Sequence, residues 1–391
     1  MEMVIYAGEA HSRMLPGWWK LRDAAHGDLE YVQEGTPGAF QIREGFFCGD
    51  NTGVGKGRES ASVILANMCE GRLKHVWVSK NDPLLEDARR DWTALGGQAQ
   101  DIQPQGRWKQ EEGIRLDRGI LFTTYATLRQ PARGSKQSRL DQLVAYLGAD
   151  FDGVIVFDEA HGMSNAAGGG EGSRGPKKAS QQGIAGVALQ NRLPNARILY
   201  VSATGATVVE NLGYAARLGL WGGPDAPFPN RESFLTHINA AGVAGCELVA
   251  RELKAMGRYI ARSLSFDGVE YEPLVHELTP EDIAIWDEWA DAWQIIHSNL
   301  QDALQATGIT DDEGKTASGQ AKSAVMSAFE GSKQKFFAHL LAGLKTPTII
   351  KEIRENILTN DLAAILQIVS TNEAVMERRL NSIPPEEWNN L

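Results

Sequence analysis

The chain has 391 residues, a length typical of two or three domains. Its 39 Lys and Arg against 50 Asp and Glu give a net charge of −11, which excludes a protein that coats nucleic acid through bulk positive charge; contact with nucleic acid needs a local basic surface. Three scattered cysteines without a CxxC pair argue against a zinc ribbon or a disulfide framework. Without a signal peptide or the ~20 apolar residues of a membrane span, we expect a soluble cytoplasmic protein.

The first half of the chain alternates short apolar runs with helical patterns. Helices are predicted at residues 59–68 and 83–92, and strands at 46–48, 75–79, 119–123, 154–157 and 197–201. Strands that are apolar throughout are buried on both faces, so the fold class is α/β, a parallel sheet with helices on both sides. We place this domain at residues 30–225, after an N-terminal segment, residues 1–29, that begins as a helix.

From about residue 226 helical periodicity dominates. Helices are predicted at 247–263 and at 280–304, the second beginning with a capping Thr279, a first-turn Pro280 and early acids. The polar segments 168–178 and 307–320 predict loops. A strand at 362–370 followed by a helix at 372–380 predicts that residues 361–391 begin a second α/β domain after a helical region at 226–360.

A glycine-rich turn between the first predicted strand and helix carries the strongest chemical signal. Its sequence is GDNTGVGKG, residues 49–57. Glycines let backbone N–H groups close around phosphate oxygens, and Lys56 can reach the terminal phosphates. Gly57 stands where Ser or Thr usually offers a hydroxyl to Mg²⁺, and a turn without any ligand is the alternative. The predicted phosphate-binding residues are Thr52, Gly53, Val54, Gly55, Lys56, Gly57 and Arg58.

An acidic sequence follows the strand predicted at 154–157. In a parallel sheet, acids at the carboxyl end of such a strand lie beside the phosphate loop. We predict that Asp158 binds Mg²⁺ and that Glu159 orients or deprotonates the attacking water. A solvated acidic pair is the alternative.

A short hydroxyl-rich sequence, Ser202, Ala203 and Thr204, follows the strand predicted at 197–201. Alone it indicates only a turn. The ordered set GVGKG, DEAH and SAT, however, resembles the first RecA-like lobe of superfamily 2 helicases. The segments GFFCGDNTGVGKGRE, VWVSKNDPLLEDARRDW, VIVFDEAHGMSNA and YIARSLSFDGVEYE are similar to the strawberry-notch-type subfamily, and the similarity covers nearly the whole chain.

This resemblance implies a RecA-like P-loop NTPase lobe that uses ATP and Mg²⁺. It implies catalytic roles for Lys56, Asp158 and Glu159, and it implies coupling to nucleic acid through His161, Ser202 and Thr204. In that subfamily the GKG ending of the loop is usual, whereas Asn51 stands where glycine is expected. By position, the residues that would touch a nucleic-acid backbone are Ser79, Lys80, Thr123, Thr124 and Tyr125; ordinary strand-end polar residues are the alternative.

Two further patterns lie in the region predicted to be helical. Four basic residues predict one cationic side of the helix at 247–263, which would bind phosphates, face solvent or meet an acidic partner: Arg251, Lys254, Arg258 and Arg262. Trp286, Trp289 and Trp293 have helical spacing, which favours packing over base stacking. The histidines form no metal-ligand spacing.

Together these patterns predict an ATP-binding and hydrolysing lobe of a DNA or RNA helicase or translocase, with DNA favoured. Motors of this type close a second RecA-like lobe that supplies an arginine finger, worth ~10³–10⁵ in rate. We expect that lobe to come from a second protein or a further domain, and this chain alone to turn over slowly. The alternative is a nucleotide-gated binding or scaffold protein that acts with a partner without efficient turnover. A P-loop kinase fits less well, because DEAH directly follows the strand and no arginine-bearing lid is evident.

Overall fold

The computed structural model describes residues 1–164, 166, 171–172, 175–176, 179–203, 212–265, 267, 269–307, 319–360 and 363–367. The chain divides into two compact units, Met1–Asp267 and Gly268–Leu391. The boundary predicted at residue 226 lies inside the first of these units. A helical segment that is kinked at Gly242 and a strand follow residue 226 within the first unit.

The first unit combines helices with strands in close alternation. Its described strands are β1 (Trp18–Asp23), β2 (Asp28–Val32), β3 (Phe46–Cys48), β4 (Lys74–Ser79), β5 (Ile102–Pro104), β6 (Gly119–Thr124), β7 (Val154–Asp158), β8 (Glu171–Gly172), β9 (Gly175–Pro176), β10 (Arg197–Val201) and β11 (Tyr259–Ile260). Its described helices are α1 (Glu2–Ser12), α2 (Lys56–Cys69), α3 (Leu84–Thr93), α4 (Tyr125–Leu128), α5 (Arg139–Leu147), α6 (Gln181–Arg192) and α7 (Arg231–Ala255).

Seven of these strands form one parallel sheet in the order β11-β3-β10-β7-β4-β6-β5. Its side chains alternate between two cores: Val76 and Val78 of β4 pack on one face and Trp77 on the other. The predicted parallel sheet is confirmed, and its five predicted strands are each within one residue of their observed bounds. The carboxyl ends of β3, β10, β7 and β4 are consecutive neighbours, so the sequences that follow these strands meet at one edge.

The helix predicted over residues 247–263 is wrong beyond Ala255. Gly257 has a φ of +68°, and its N–H donates to Lys254 O over 3.0 Å while Arg258 N–H donates to Leu253 O over 2.9 Å. These two bonds form a Schellman motif, which ends a helix where glycine accepts the left-handed conformation. The chain then runs into β11, which extends the sheet beside β3.

The N-terminal segment contains more than the predicted helix. After α1, β1 and β2 form an antiparallel hairpin in which Trp19 lies opposite Tyr31. Their rings meet edge to face, with centroids 6.2 Å apart. This hairpin was not predicted, because its alternating polar residues leave little apolar signal.

The second unit is helical over most of its described residues. Its helices are α8 (Pro280–Ala306) and α9 (Gly319–Glu352), followed by a π-helical turn (Ile353–Ile357) and a 3-10 turn (Leu358–Asn360). A capping box between Thr279 and Asp282 starts α8, as predicted. Residues 308–318 of the predicted loop lie outside the described residues. Residues 362 and 368–370 of the strand predicted at 362–370 also lie outside them, as does the whole helix predicted at 372–380. The described part of that strand, 363–367, adopts no regular structure.

Aromatic side chains join α8 to α9. Trp286 lies 4.7 Å from Phe337 and Trp289 lies 4.7 Å from Phe336, between ring centroids, and Trp293 contacts Phe329 and Phe336. The prediction that these tryptophans pack within the helical region is confirmed. Among the described helices, none combines the length and apolar character needed to cross a membrane.

Candidate active site

The phosphate loop forms the turn between β3 and α2. Gly55 has a φ of +114°, a conformation that L side chains rarely adopt, and it immediately precedes Lys56, the first residue of α2. This geometry directs the unpaired N–H groups of the first helical turn toward solvent, where an anion can bind. The predicted phosphate-binding residues all lie in this turn, exposed or half-buried: Thr52, Gly53, Val54, Gly55, Lys56, Gly57 and Arg58.

The buried carboxylate of Asp50 fixes the phosphate loop to a distant part of the chain. Asp50, which is fully buried, accepts hydrogen bonds from the backbone N–H of Arg262 over 2.7 Å and from its Nε over 3.1 Å, and it also contacts Nη2. The main chain is tied as well, since Asn51 N–H donates to Arg262 O over 2.9 Å. Burial works to raise the pKa of Asp50, but the bonds from Arg262 outweigh it and lower that pKa. The loop is therefore fixed to the segment that follows β11.

The same guanidinium also pairs with Glu59, and at 3.3 Å with Glu2. Burial raises the pKa of the Glu59 carboxyl. Ligand atoms of Cys48, Asp50 and Glu59 lie within 4.8 Å of one another, the spacing of a metal site, but Arg262 already pairs with both carboxylates. Sequence reasoning missed this anchor, because 212 residues separate Asp50 from Arg262.

The predicted metal ligand, Asp158, ends β7. Its Oδ2 accepts a hydrogen bond from Ser79 Oγ of the neighbouring β4 over 2.7 Å, and its main-chain oxygen accepts one from the Tyr125 hydroxyl over 2.9 Å. Burial raises the pKa of Asp158, and the bond from Ser79 opposes that effect. A carboxylate held this firmly is a pre-oriented hard ligand of the kind that Mg²⁺ prefers.

The predicted general base, Glu159, adopts an unusual backbone. Its φ is +47°, and it is the only residue other than glycine with positive φ in the described part of the chain. This left-handed conformation is uncommon and is held only where the surroundings impose it. The Glu159 side chain is about one-third exposed, so its carboxylate can meet water.

His161 links the acidic sequence to the hydroxyl sequence. Its Nδ1 lies 3.1 Å from Glu159 Oε2 and 3.2 Å from Ser202 Oγ. Ser202 N–H in turn donates to Cys48 O over 3.0 Å, directly before the phosphate loop. These contacts bring three of the predicted sequences into one network. Thr204, the third predicted coupling residue, lies outside the described residues.

Most residues predicted to contact a nucleic-acid backbone are buried. Thr123 Oγ1 donates to Gln105, Thr124 caps α4, and the bonds of Ser79 and Tyr125 hold Asp158. Their prediction as contacts is therefore corrected: they shape the site from within. Lys80 is exposed.

The predicted cationic side of one helix does not form, because α7 ends at Ala255. Arg258 lies near β11, where Nε pairs with the buried Glu44 at 2.9 Å, and Arg262 anchors Asp50. Arg251 remains three-quarters exposed, and Lys254 Nζ lies 5.7 Å from the centre of the Tyr259 ring.

A parallel sheet with a phosphate loop, an acidic strand end and a hydroxyl strand end at one edge defines a P-loop NTPase lobe of the RecA-like class. The chain belongs to the family described as "P-loop containing NTP hydrolase pore-1", whose model matches residues 1–288.

The chain is similar to two curated relatives, and the one named strawberry notch confirms the strawberry-notch-type resemblance. The chain is 32% identical to Protein strawberry notch of Drosophila melanogaster over 382 residues, 96% of this chain and 21% of the relative. It is 33% identical to Protein FORGETTER 1 of Arabidopsis thaliana over 360 residues, 90% of this chain and 26% of the relative. The chain thus spans about a quarter of the length of these proteins. A solved structure, the Sulfolobus solfataricus SWI2/SNF2 ATPase core in complex with dsDNA, is 17% identical with a TM-score of 0.39, covering 64% of this chain and 48% of that one.

Proposed function

We propose that this chain binds and hydrolyses Mg-ATP as the first motor lobe of a superfamily 2 helicase or translocase, and that nucleic acid controls the hydrolysis. The observation that carries the proposal is the position of His161 between Glu159 and Ser202, with Ser202 bonded to the residue before the phosphate loop. This network would connect the phosphates of a bound nucleotide, at the phosphate loop, to His161 and Ser202, the residues expected to respond to a nucleic acid.

The residues fit a magnesium nucleotide by their chemistry. The exposed N–H groups around Gly55 and the ammonium of Lys56 would bind the phosphates, and the oriented carboxylate of Asp158 would hold the metal. When bound, Mg²⁺ supplies charge neutralisation at the terminal phosphates. Glu159 would accept the proton of the attacking water, because its carboxylate is accessible and is held near His161.

The nucleic-acid surface and the second lobe belong to the same proposal. Of the basic residues predicted for contact, Lys80, Arg251 and Lys254 remain exposed and able to reach a phosphate backbone. A second RecA-like lobe, from another protein or a further domain, would supply the arginine finger, and the segment at 361–391 would begin it.

ATP turnover by the purified chain tests this function, with and without single-stranded DNA, duplex DNA and RNA. We expect one nucleic acid to raise turnover. Lys56→Ala should abolish nucleotide binding, whereas Glu159→Gln should keep binding and slow hydrolysis by about 10²–10⁴-fold, the usual contribution of a general base. Lys136→Ala, on an exposed lysine paired with Glu111, is the matched control.

Unchanged turnover in both active-site variants would contradict the proposal. ATP binding without turnover under every condition would instead favour the alternative, a nucleotide-gated switch that acts through a partner.

A further inference from the structure

Gly57 is the second residue of α2, where other phosphate loops have the Ser or Thr whose hydroxyl binds Mg²⁺. A Cβ built on Gly57 would overlap Oδ2 of Asp91 and lie only 3.0 Å from its Cγ. Real Cβ atoms essentially never approach another atom within 3.0 Å. The Asp91 carboxylate therefore occupies the space that a Ser or Thr side chain would fill.

Asp91 reaches this position from the neighbouring helix α3. Its side chain is only 14% exposed, and its Oδ1 lies 3.8 Å from Arg58 Nε and 3.5 Å from Arg90 Nε. Arg90 pairs with Asp87 as well, at 2.6 Å. The second carboxylate oxygen, Oδ2, is the atom directed at Gly57.

We propose that Asp91 replaces the missing hydroxyl as a ligand of Mg²⁺, directly or through one bound water, alongside Asp158. This inference rests on the proposed function. A hydroxyl oxygen on residue 57 would lie one bond from the position of Cβ, which Asp91 Oδ2 overlaps, so the carboxylate oxygen would take the place of that hydroxyl toward the metal. Mg²⁺ is usually held by one or two carboxylates together with substrate phosphates, which matches this pair.

The carboxylate of Asp91 carries a negative charge, so it has an electrostatic effect on nucleotide binding that a hydroxyl does not have. A carboxylate beside the phosphates repels them unless a cation lies between, because like charges at short range raise the energy of the complex. Asp91 should therefore favour nucleotide binding when the metal is present and oppose it when the metal is absent. A purely structural aspartate would not produce effects of opposite sign.

ATP binding measured by calorimetry, once with Mg²⁺ and once with EDTA, tests the inference. A second readout is Mn²⁺ binding to the ADP-loaded chain, followed by electron paramagnetic resonance. We expect Asp91→Asn to weaken Mn²⁺ binding by about tenfold or more, since even the outer partners of metal ligands are worth about 10–100-fold. The same variant should bind metal-free ATP as well as the wild type or better.

Glu86→Gln is the matched control, because it removes an exposed carboxylate from the same helix whose partner is Arg89, not an arginine that pairs with Asp91. It should match the wild type in both readouts. The double variant Gly57→Ser with Asp91→Ala opens room for a hydroxyl and should recover most of the Mn²⁺ affinity that Asp91→Ala loses. Thermal unfolding of each variant identifies any that does not fold. If Asp91→Asn does not fold, the Mn²⁺ affinity of the double variant tests whether Asp91 replaces the hydroxyl.

Equal effects of Asp91→Asn with and without metal, or no effect, would overturn the inference and leave the proposed function standing. A double variant that folds but recovers no Mn²⁺ affinity would overturn it as well. A wild-type chain that binds ATP under neither condition would refute the proposed function and this inference together.

Discussion

The two units of the chain differ in what they bury. The first unit encloses charged and polar groups: Arg217 is fully buried among backbone carbonyls, and Asp50 is fully buried against Arg262. The described part of the second unit instead packs its two long helices through aromatic rings, as between Trp293 and Phe329. Isoleucines such as Ile295, 61% exposed, lie on the surface of that pair.

This difference indicates how each unit is specified. A buried charge is costly unless its hydrogen bonds are complete, so it admits one arrangement and holds catalytic groups in place. Aromatic packing between helices has no such requirement and tolerates substitution better. Substitution and pH should therefore affect the two units very differently.

The largest expected effect comes from Arg217. Its guanidinium donates to the carbonyls of Arg43, Pro194 and Leu193 over 3.0, 2.8 and 2.9 Å and also contacts Gln190 O, and burial lowers its pKa to about 10. Arg217→Met leaves these buried acceptors unpaired and should reduce the free energy of unfolding of the first unit by about 3–5 kcal/mol. Urea unfolding measures the loss. Arg251→Met, on an exposed arginine, should change it little, and equal losses in the two variants would contradict the comparison.

Acid should weaken the first unit through two buried histidines. Burial lowers the pKa of His11 to about 3 and that of His75 to about 4. The pKa of both histidines is lower in the folded chain than the 6.5 of the unfolded chain. The stability that the two neutral side chains contribute is therefore complete above pH 6.5 and is lost as the pH falls toward 4. At pH 5 each histidine should have lowered the free energy of unfolding by about 2 kcal/mol.

Urea titrations at pH 7 and pH 5 measure that loss. His75→Gln keeps a donor for Arg72 O, which His75 Nε2 contacts at 2.8 Å, and should shrink the difference between the two pH values. His237→Gln, at an exposed position, should leave it unchanged. A wild-type chain equally stable at both pH values would exclude the assignment.

The second unit should respond to loss of aromatic contact between its two long helices. Trp293→Ala removes ring contacts with Phe329 and Phe336, at 5.4 and 5.6 Å between centroids, and should cost about 1–3 kcal/mol locally, with each pair worth about 0.5–1.5 kcal/mol. Faster hydrogen exchange in α8 and α9 would measure this local loss of stability. ATP binding should be unchanged. Ile295→Ala, at an exposed position, is the control. Faster exchange in the parallel sheet would count against the separation of the two units.

The smallest expected effect is a gain in stability at the active site. Burial raises the pKa of Asp158, so the fold is favoured while this carboxyl is protonated, and that advantage is lost as the pH rises through the folded pKa. Asp158→Asn should therefore stabilise the nucleotide-free chain at pH 7 by about 0.5–1 kcal/mol while it removes the proposed metal ligand. Thermal unfolding at pH 7 should show an increase of roughly 2–4 °C per kcal/mol. A lower midpoint would mean that Asp158 stabilises the fold.

Local patterns predicted the parts of the lobe that depend on neighbours in the sequence. The strand at 154–157 is apolar throughout and could only be buried, and the start of α8 follows from the capping residues at 279–282. The phosphate loop was equally readable, because its glycines and Lys56 are consecutive. Each of these signals acts over a few residues.

Sequence patterns alone thus establish a set of elements and the chemistry at their ends: a parallel sheet, a phosphate loop and an acidic strand end. Which groups meet depends on long-range packing, as when Arg262 anchors Asp50 and Asp91 fills the space beside Gly57. The misplaced end of α7 has the same origin, since helical periodicity continues past Ala255 while a Schellman turn directs the chain to the edge of the sheet. The physical reason is that helix and strand propensities are local, whereas buried charges are satisfied by partners distant in the sequence.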